Sequence, residues 1–180
     1  MASKKKYIVA SVTLGVIAMA SGLLIGGANI ITKDSIKKNQ EKKIASGISE
    51  IYGKNALISK KIDVKADTFA NVYKTVEQYY EVSDKDNNKQ GYAFRTNGSN
   101  AYGKITLIVG FDETTHAFKG ISIVVDEQTY NTTLEDNYIS LVNKGERDVD
   151  DVKCGATFGA KLVKEMINEA TSAAEELWKE

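Results

Sequence analysis

The residues most able to do chemistry in this sequence lie together at positions 150–163, which read DDVKCGATFGAKLV. Thr157 carries a hydroxyl at the predicted start of the final helix, and Gly155 and Ala156 before it have no bulk to block an approaching group. The first backbone N–H groups of a helix lack partners within the helix, and together with the helix dipole they attract anions such as phosphate. The stretch therefore predicts a site for a phosphorylated ligand, with Thr157 supplying a hydroxyl.

The same stretch has a purely structural interpretation. Cys154 or Thr157 can act as an N-cap or first-turn residue, and Gly155 can supply backbone freedom. Asp150 and Asp151 are favourable near the positive end of a helix. Both the cap and the binding site are compatible with these residues.

The amino-acid composition argues against several other kinds of site. The 180 residues include one cysteine, Cys154, and one histidine, His116, too few for an internal disulfide or for a metal site built from these residue types. Lysine plus arginine and aspartate plus glutamate balance at 24 each, so no net field points to a nucleic-acid partner. We expect His116 to be a solvated turn residue, Trp178 to lie at the edge of the core and Tyr102 to be a packing residue.

Residues 7–32 contain no charged side chain and follow the basic start MASKKK. A hydrocarbon core of about 30 Å needs about 20 apolar residues in a helix, so this run is long enough to cross a bilayer. We predict a transmembrane anchor over residues 1–32, in which Gly22 and Gly26 form a GxxxG pair. A cleaved signal peptide with a cleavage site near Ala20 is the alternative. The lysines before the run favour a single-pass cell-membrane protein with a cytoplasmic N-terminus and an extracytoplasmic domain, although lysines also follow the run.

Residues 33–72 are predicted to form a stalk helix and a linker. Gly53 is the predicted end of the helix. Four isoleucines recur among charged residues and give the helix one modest apolar stripe: Ile36, Ile44, Ile48 and Ile51.

Residues 73–180 are predicted to form an α+β domain with a mainly antiparallel sheet and packing helices. Strands that begin near Val76 and Gln90 flank KDNNK, which is rich in turn residues, and make one hairpin. Strands that begin at Gly103 and Phe118 flank ETTHA and make a second hairpin, with the clearest β-branched alternation in the chain. A sheet of at least four strands follows.

Two helices are predicted after the strands. A short helix begins near Thr132 and stops at Gly145. The last helix runs from about Thr157 to Leu177, and we expect its whole apolar face to lie in the core. That face has spacings of four and three residues: Phe158, Leu162, Met166, Ala170, Ala173 and Leu177.

The segment DVKCGATFGA resembles the flavinylation motif of the FMN-binding domain family, in which an Asp, a short spacer and Ser or Thr precede Gly-Ala-Thr. In that family the threonine is joined by a phosphoester to FMN, so the resemblance implies that Thr157 carries covalent FMN. It also implies that Gly155 and Ala156 allow close approach of the cofactor. Asp151 corresponds to the acidic residue of the motif, and Cys154 stands where Ser or Thr is usual.

The resemblance extends beyond the motif. YGKITLIVGFD and FKGISIVVDEQT resemble the strand pair of the family. The order of anchor, stalk, sheet, flavinylation motif and closing helix is similar to that of the FMN-binding subunits of the Rnf electron transport complex and of the sodium-pumping NADH:quinone reductase. The family has an ETPGLG-like loop where this chain has EQTYNTTLED, and Glu127 and Thr129 are the nearest matches to its flavin contacts. Gly159 stands where a second hydroxyl residue commonly follows the motif.

The resemblance implies an electron-transfer subunit of a membrane oxidoreductase complex that translocates ions. Its implied partners are the other membrane subunits and a separate flavin transferase that moves FMN from FAD to Thr157. One alternative keeps the flavin in a stand-alone surface electron carrier or reductase. The other is a membrane-anchored binding module without flavin, in which Thr157 is only a cap.

Overall fold

The computed structural model describes residues 2–63, 72–146 and 154–179, and its elements define an α+β protein, as predicted. The chain divides into two compact units, Met1–Lys42 and Lys43–Glu180. The helical elements are α1 (Ala2–Tyr52), α2 (Asn131–Leu134), a π-helical turn (Glu135–Ile139), α3 (Ser140–Asn143) and α4 (Thr157–Leu177). The strands are β1 (Leu57–Asp63), β2 (Val76–Ser83), β3 (Lys89–Asn100), β4 (Gly103–Asp112) and β5 (Phe118–Asp126).

The first unit consists of the N-terminal part of α1. Among the helices of the described residues, α1 is the one that is long and apolar enough to cross a membrane, judged by length and composition. Its large apolar side chains are exposed, as the 75% exposure of Leu24 illustrates. A cleaved signal peptide meets the same criterion, so the retention of the anchor and its orientation stay predictions.

The second unit is built on one antiparallel sheet whose strands lie in chain order, β1-β2-β3-β4-β5. The two predicted hairpins are present, as β2 with β3 and β4 with β5. Strand β1 was not predicted and lies within the predicted linker. It is an edge strand with six of its seven residues exposed, so it lacks the apolar alternation that identifies a half-buried strand.

One face of the sheet is covered by α4 together with the α2–α3 segment. Phe94 and Leu107 of the sheet share a buried cluster with Val163 and Met166 of α4, all of them less than 1% exposed. The predicted last helix and its core face are therefore confirmed along most of their length. Most helical stability in proteins comes from such packing of an apolar face.

The other face of the sheet is covered by the C-terminal end of α1. Ile44 and Ile48 are buried against Val82 and Ile108, whereas Ile36 is 54% exposed. The last turns of α1 therefore pack against the sheet, within the second unit. The apolar stripe of this segment indicated a packing face, which the sequence interpretation assigned to a stalk.

Strand β5 is the second edge of the sheet, and a side chain covers part of that edge. Asn143, at the end of α3, accepts the backbone N–H of Ile121 at 2.8 Å through Oδ1 and donates Nδ2 to the carbonyl of the same residue at 2.9 Å. The side-chain amide thus occupies positions that a neighbouring strand would take. This contact attaches the α2–α3 segment to the sheet.

Tyr52, the last residue of α1, joins that helix to the middle of the sheet. Its hydroxyl oxygen accepts the N–H of Phe111 at 2.9 Å. The hydroxyl also lies within donating distance of two carbonyl oxygens, those of Tyr92 at 2.7 Å and of Phe111 at 2.9 Å. Burial raises the pKa of this hydroxyl above its usual range, so it stays protonated and able to donate.

We expect Tyr52→Phe to lower the free energy of unfolding by about 1–3 kcal/mol, because it leaves buried backbone groups of β3 and β4 without a partner. Urea unfolding of the full chain in detergent, followed by circular dichroism, measures the change. Tyr73→Phe is the matched control, since the Tyr73 hydroxyl bonds Glu176 at an exposed position, and its effect should stay within about 0.5 kcal/mol. Equal losses in the two variants would contradict the role assigned to Tyr52.

Candidate functional site

The final helix begins where it was predicted to begin, and none of the described side chains caps it. Helix α4 starts at Thr157, and Ala156 takes the N-cap position with φ −131° and ψ 47°. Alanine has no side-chain acceptor, and the described residues supply no side-chain hydrogen bond to this cap. The N-cap role considered for Cys154 or Thr157 is therefore wrong, and Thr157 is the first residue of the first turn.

Other contacts hold the residues before the helix in place. Gly155 has φ +78°, in the left-handed region where a side chain is strained. Cys154 is buried, its Sγ accepts the N–H of Ala156 at 3.3 Å, and its carbonyl accepts Nδ2 of Asn137 at 3.1 Å. These contacts turn the chain into α4 without using the hydroxyl of Thr157.

Gly159 allows the first turn of α4 to pack closely against α2. A Cβ atom at this position would lie 3.0 Å from Cδ2 of Leu134, closer than the optimum of about 3.5–4.0 Å between carbon atoms. Gly159 is buried, so a larger residue would require the end of the Leu134 side chain to move aside.

A cavity of about 190 Å³ lies beside Thr157. The helix start from Gly155 to Gly159 forms one side, and the remaining lining residues are Tyr102, Gln128, Tyr130 and Leu134. None of these nine described lining residues is charged. Thr157 is half-buried in the wall, and its hydroxyl makes no hydrogen bond with another described residue. Within the described part of the chain, a hydroxyl without a hydrogen bond, a helix start without a side-chain cap and a cavity without charged lining residues therefore meet at one place.

Three exposed aromatic residues, Tyr102, Tyr130 and Phe158, form what we call the aromatic cluster at this cavity. Their exposed fractions are 40%, 57% and 59%, respectively. The rings of Tyr102 and Phe158 stack with centroids 5.2 Å apart and planes at 28°, and the centroids of Tyr102 and Tyr130 are 6.5 Å apart. The prediction that Phe158 lies in the core is wrong, because the first turn of α4 faces the β3–β4 turn instead of the middle of the sheet. Tyr102, expected to be a packing residue, lines the cavity as well.

Gln128 is the buried polar residue of the cavity wall. It is 6% exposed, and its Nε2 donates to the carbonyl of Gly103 at the start of β4. The backbone N–H of Gln128 donates to Oδ1 of Asp126 at 2.8 Å, and burial raises the pKa of that carboxyl group. These bonds hold the β5–α2 loop against β4.

Gly155, Ala156 and Thr157, the residues of the predicted attachment site, all line the cavity. Cys154 is buried and does not line the cavity. Asp151 lies outside the described residues.

Glu127 and Thr129, proposed from the sequence as flavin contacts, are exposed in the β5–α2 loop and do not line the cavity. Their neighbours Gln128 and Tyr130, which the sequence interpretation missed, do line it. Thr129 supports the site indirectly, since its N–H and Oγ1 donate to the carbonyl of Tyr102 at 3.1 and 3.2 Å. Lining and non-lining residues alternate along positions 127–130.

His116 and Trp178 do not line this cavity. Their rings stack in parallel, with centroids 4.2 Å apart and planes at 6°. His116 is exposed and Trp178 packs partly buried against the core, which agrees with the sequence predictions for both.

Comparison with known proteins identifies no relative: the sequence matches no protein-family model, and no curated protein matches it. The resemblance to the FMN-binding domain family rests on the residues of the motif and of the strand pair.

We expect Thr157→Ala to change the free energy of unfolding of the flavin-free chain by no more than about 0.5 kcal/mol, because the hydroxyl bonds no described residue. Gly155→Ala should lower it by about 1–2 kcal/mol, since alanine is strained at the φ of this residue. Urea unfolding of both variants in detergent provides the comparison. A loss of about 1 kcal/mol in Thr157→Ala would identify the hydroxyl as a helix cap and remove the case for an attachment site.

Proposed function

We propose that this chain is a membrane-anchored electron-transfer flavoprotein that carries FMN on Thr157 through a phosphoester, as a subunit of an Rnf-like ion-translocating oxidoreductase complex. The observation that carries the proposal is the position of Thr157. Its half-buried hydroxyl has no hydrogen-bond partner among the described residues and lies at an uncapped helix start, in the wall of an uncharged cavity. The sequence around it, CGAT, resembles the flavinylation motif.

The start of α4 suits the phosphate of such a cofactor. A phosphodiester retains a negative charge, and the N–H groups and dipole of a helix N-terminus stabilise it by about 0.3–1 kcal/mol, more where the site is partly buried. Even a dissociation constant of 1 mM requires about 4.1 kcal/mol, so this interaction positions a phosphate but does not retain a ligand. A covalent bond to Thr157 Oγ supplies the retention.

The cavity suits a planar and largely apolar group. Its wall combines aromatic and aliphatic residues with the buried amide of Gln128, the mixture that ligand pockets commonly show. Its volume of about 190 Å³ is below the roughly 300–1,000 Å³ of ligand pockets, so a cofactor attached here extends beyond it. The part outside the cavity remains accessible to redox partners.

A bound flavin accepts and releases electrons singly or in pairs, and so links two-electron donors to one-electron carriers. The chain's own residues bind and orient the cofactor and exclude water from the part of it inside the cavity. Thr157 is next to the exposed Phe158, and this position leaves its hydroxyl within reach of a separate flavin transferase. That enzyme would form the Oγ–phosphorus bond with AMP as the leaving group from FAD.

Anchoring at the membrane fits an electron carrier that serves membrane partners. A single span over residues 1–32 would confine the domain to the membrane surface and raise its effective concentration toward the other subunits of a redox complex. The basic N-terminus favours a domain outside the cytoplasm. A dissociated flavin would be lost there, and the phosphoester prevents that loss.

We expect the full chain, made together with a flavin transferase, to show an intact mass raised by FMN less one water, with residues 1–32 retained. The yellow colour should survive denaturation, since a phosphoester does not depend on the fold. Thr157→Ser should keep the modification and Thr157→Ala should lose it. Thr132→Ala, which removes an exposed hydroxyl of α2, is the matched control and should keep it.

An unmodified mass for the chain made with the transferase would rule out the covalent flavin and favour the flavin-free binding module. A mass that lacks the N-terminal residues would instead identify a cleaved signal peptide. One intact-mass spectrum thus tests the covalent flavin and the retention of the anchor separately.

We also expect the chain to co-purify with several multi-span membrane subunits after mild detergent extraction from its native membrane. An Rnf-like subunit works by exchanging electrons with such neighbours. Size-exclusion chromatography, followed by mass spectrometry of the yellow fraction, identifies the proteins that co-purify with the chain. A yellow fraction that contains this chain alone would favour the stand-alone surface carrier or reductase.

A further inference from the structure

The three residues of the aromatic cluster pack against one another, yet a large part of each remains exposed to solvent. Large apolar side chains grouped at a surface commonly mark a binding site. In the folded unit, Tyr102, Tyr130 and Phe158 come from three different segments, namely the β3–β4 turn, the β5–α2 loop and the first turn of α4. They surround the same uncharged cavity as the candidate attachment hydroxyl.

Hydrogen bonds link the β3–β4 turn to each of the other two segments. Asn100 accepts the N–H of Tyr102 at 2.8 Å through Oδ1, and its Nδ2 donates to the carbonyl of Phe158 at 3.1 Å. Thr129 holds the same turn from the other side, with its N–H and Oγ1 on the carbonyl of Tyr102. The backbone that carries the Tyr102 ring is therefore bonded on both sides.

We infer that the aromatic cluster is the stacking surface for the isoalloxazine ring of the flavin, with Asn100 as the residue that positions Tyr102 relative to Phe158. This inference rests on the proposed function, because the occupant is the group attached at Thr157. The ring-binding part of the site then lies on Tyr102, Tyr130 and Phe158, and not on the exposed Glu127.

Three observations identify the occupant as a planar aromatic group. The candidate attachment hydroxyl of Thr157 is adjacent in sequence to Phe158, so a cofactor tethered there starts at the edge of the cluster. The lining residues offer π faces and no charge, which suits stacking and does not suit a second anion. Gln128 adds one buried amide in the cavity wall, whose Nε2 is already used by Gly103 and whose Oε1 is an acceptor for a ring N–H.

The test uses the full chain in detergent, loaded with FMN by a flavin transferase, and measures flavin emission and its quenching by iodide. A tyrosine in contact with an excited flavin quenches it by donating an electron that then returns, and stacking shields the ring from iodide. We expect Tyr102→Leu to raise flavin emission several-fold, and Phe158→Leu to raise the iodide quenching constant. Tyr102→Trp should restore weak emission, because tryptophan both stacks and donates.

Asn100→Ala should raise emission and iodide quenching in part, since it releases Tyr102 from Phe158 without removing either ring. Tyr73→Leu removes an aromatic ring that does not line the cavity and serves as the matched control, with emission equal to that of the unmodified sequence. Circular dichroism of each variant confirms that it is folded.

The outcomes separate this inference from the proposed function. Loaded protein in which Tyr102→Leu and Phe158→Leu behave like the unmodified sequence overturns the stacking surface and leaves the covalent flavoprotein in place. A chain that carries no FMN removes the flavoprotein proposal, and titration of the same chain with riboflavin then decides the stacking surface. Saturable quenching of riboflavin emission that is lost in Tyr102→Leu supports it, and quenching that is absent or unchanged in the variant overturns it.

Discussion

The close contact between the first turn of α4 and α2 is the constraint on which the candidate site depends. Gly159 permits this contact, and Gly155 permits the sharp turn that precedes it. Because Ala156 takes the N-cap position, the first N–H groups of α4 receive no side-chain acceptor from the described residues. The two glycines therefore permit the geometry of the helix start, the contacts of Cys154 hold it, and the hydroxyl of Thr157 bonds none of the described residues.

The sheet explains why residues distant in sequence meet at this helix start. In the antiparallel order, Asn100 pairs with Gly103 at the β3–β4 turn, and Ile105 near the start of β4 pairs with Asp126 at the end of β5. The β3–β4 turn and the β5–α2 loop consequently lie at the same end of the sheet. Helix α4 begins at that end and packs along β3, so the cavity lies between the start of α4, the β3–β4 turn and the β5–α2 loop.

Much of this architecture could be predicted from local patterns in the sequence. Alternating β-branched residues identified β4 and β5, turn residues located both hairpins, and the four- and three-residue spacing placed α4 at Thr157–Leu177. The pattern failed for Phe158, because periodicity identifies the face of a helix but not where the neighbouring surface ends. It also failed for β1, since an edge strand exposed on both sides has no apolar alternation to detect.

Some residues of the candidate site could be predicted from a local pattern in the sequence, and others could not. Gly155, Ala156 and Thr157 are contiguous, so a motif could locate them. Tyr102 and Tyr130 reach the cavity through strand pairing and loop conformation, which are long-range properties that a single sequence does not encode in any local pattern. That none of the described side chains caps α4 could likewise not be predicted, because the two candidates, Cys154 and Thr157, both have side chains that can accept a hydrogen bond.

The bond between Asn143 and the edge of β5 has a consequence for how one copy of the domain can meet another. An unpaired strand edge is a template for addition of a strand from another molecule, and this risk grows when copies are confined to a surface. By bonding both the N–H and the carbonyl of Ile121, Asn143 denies that segment to a neighbour, and the α2–α3 segment next to it adds bulk. One amide side chain thus occupies part of the β5 edge with which a strand of another molecule could otherwise pair.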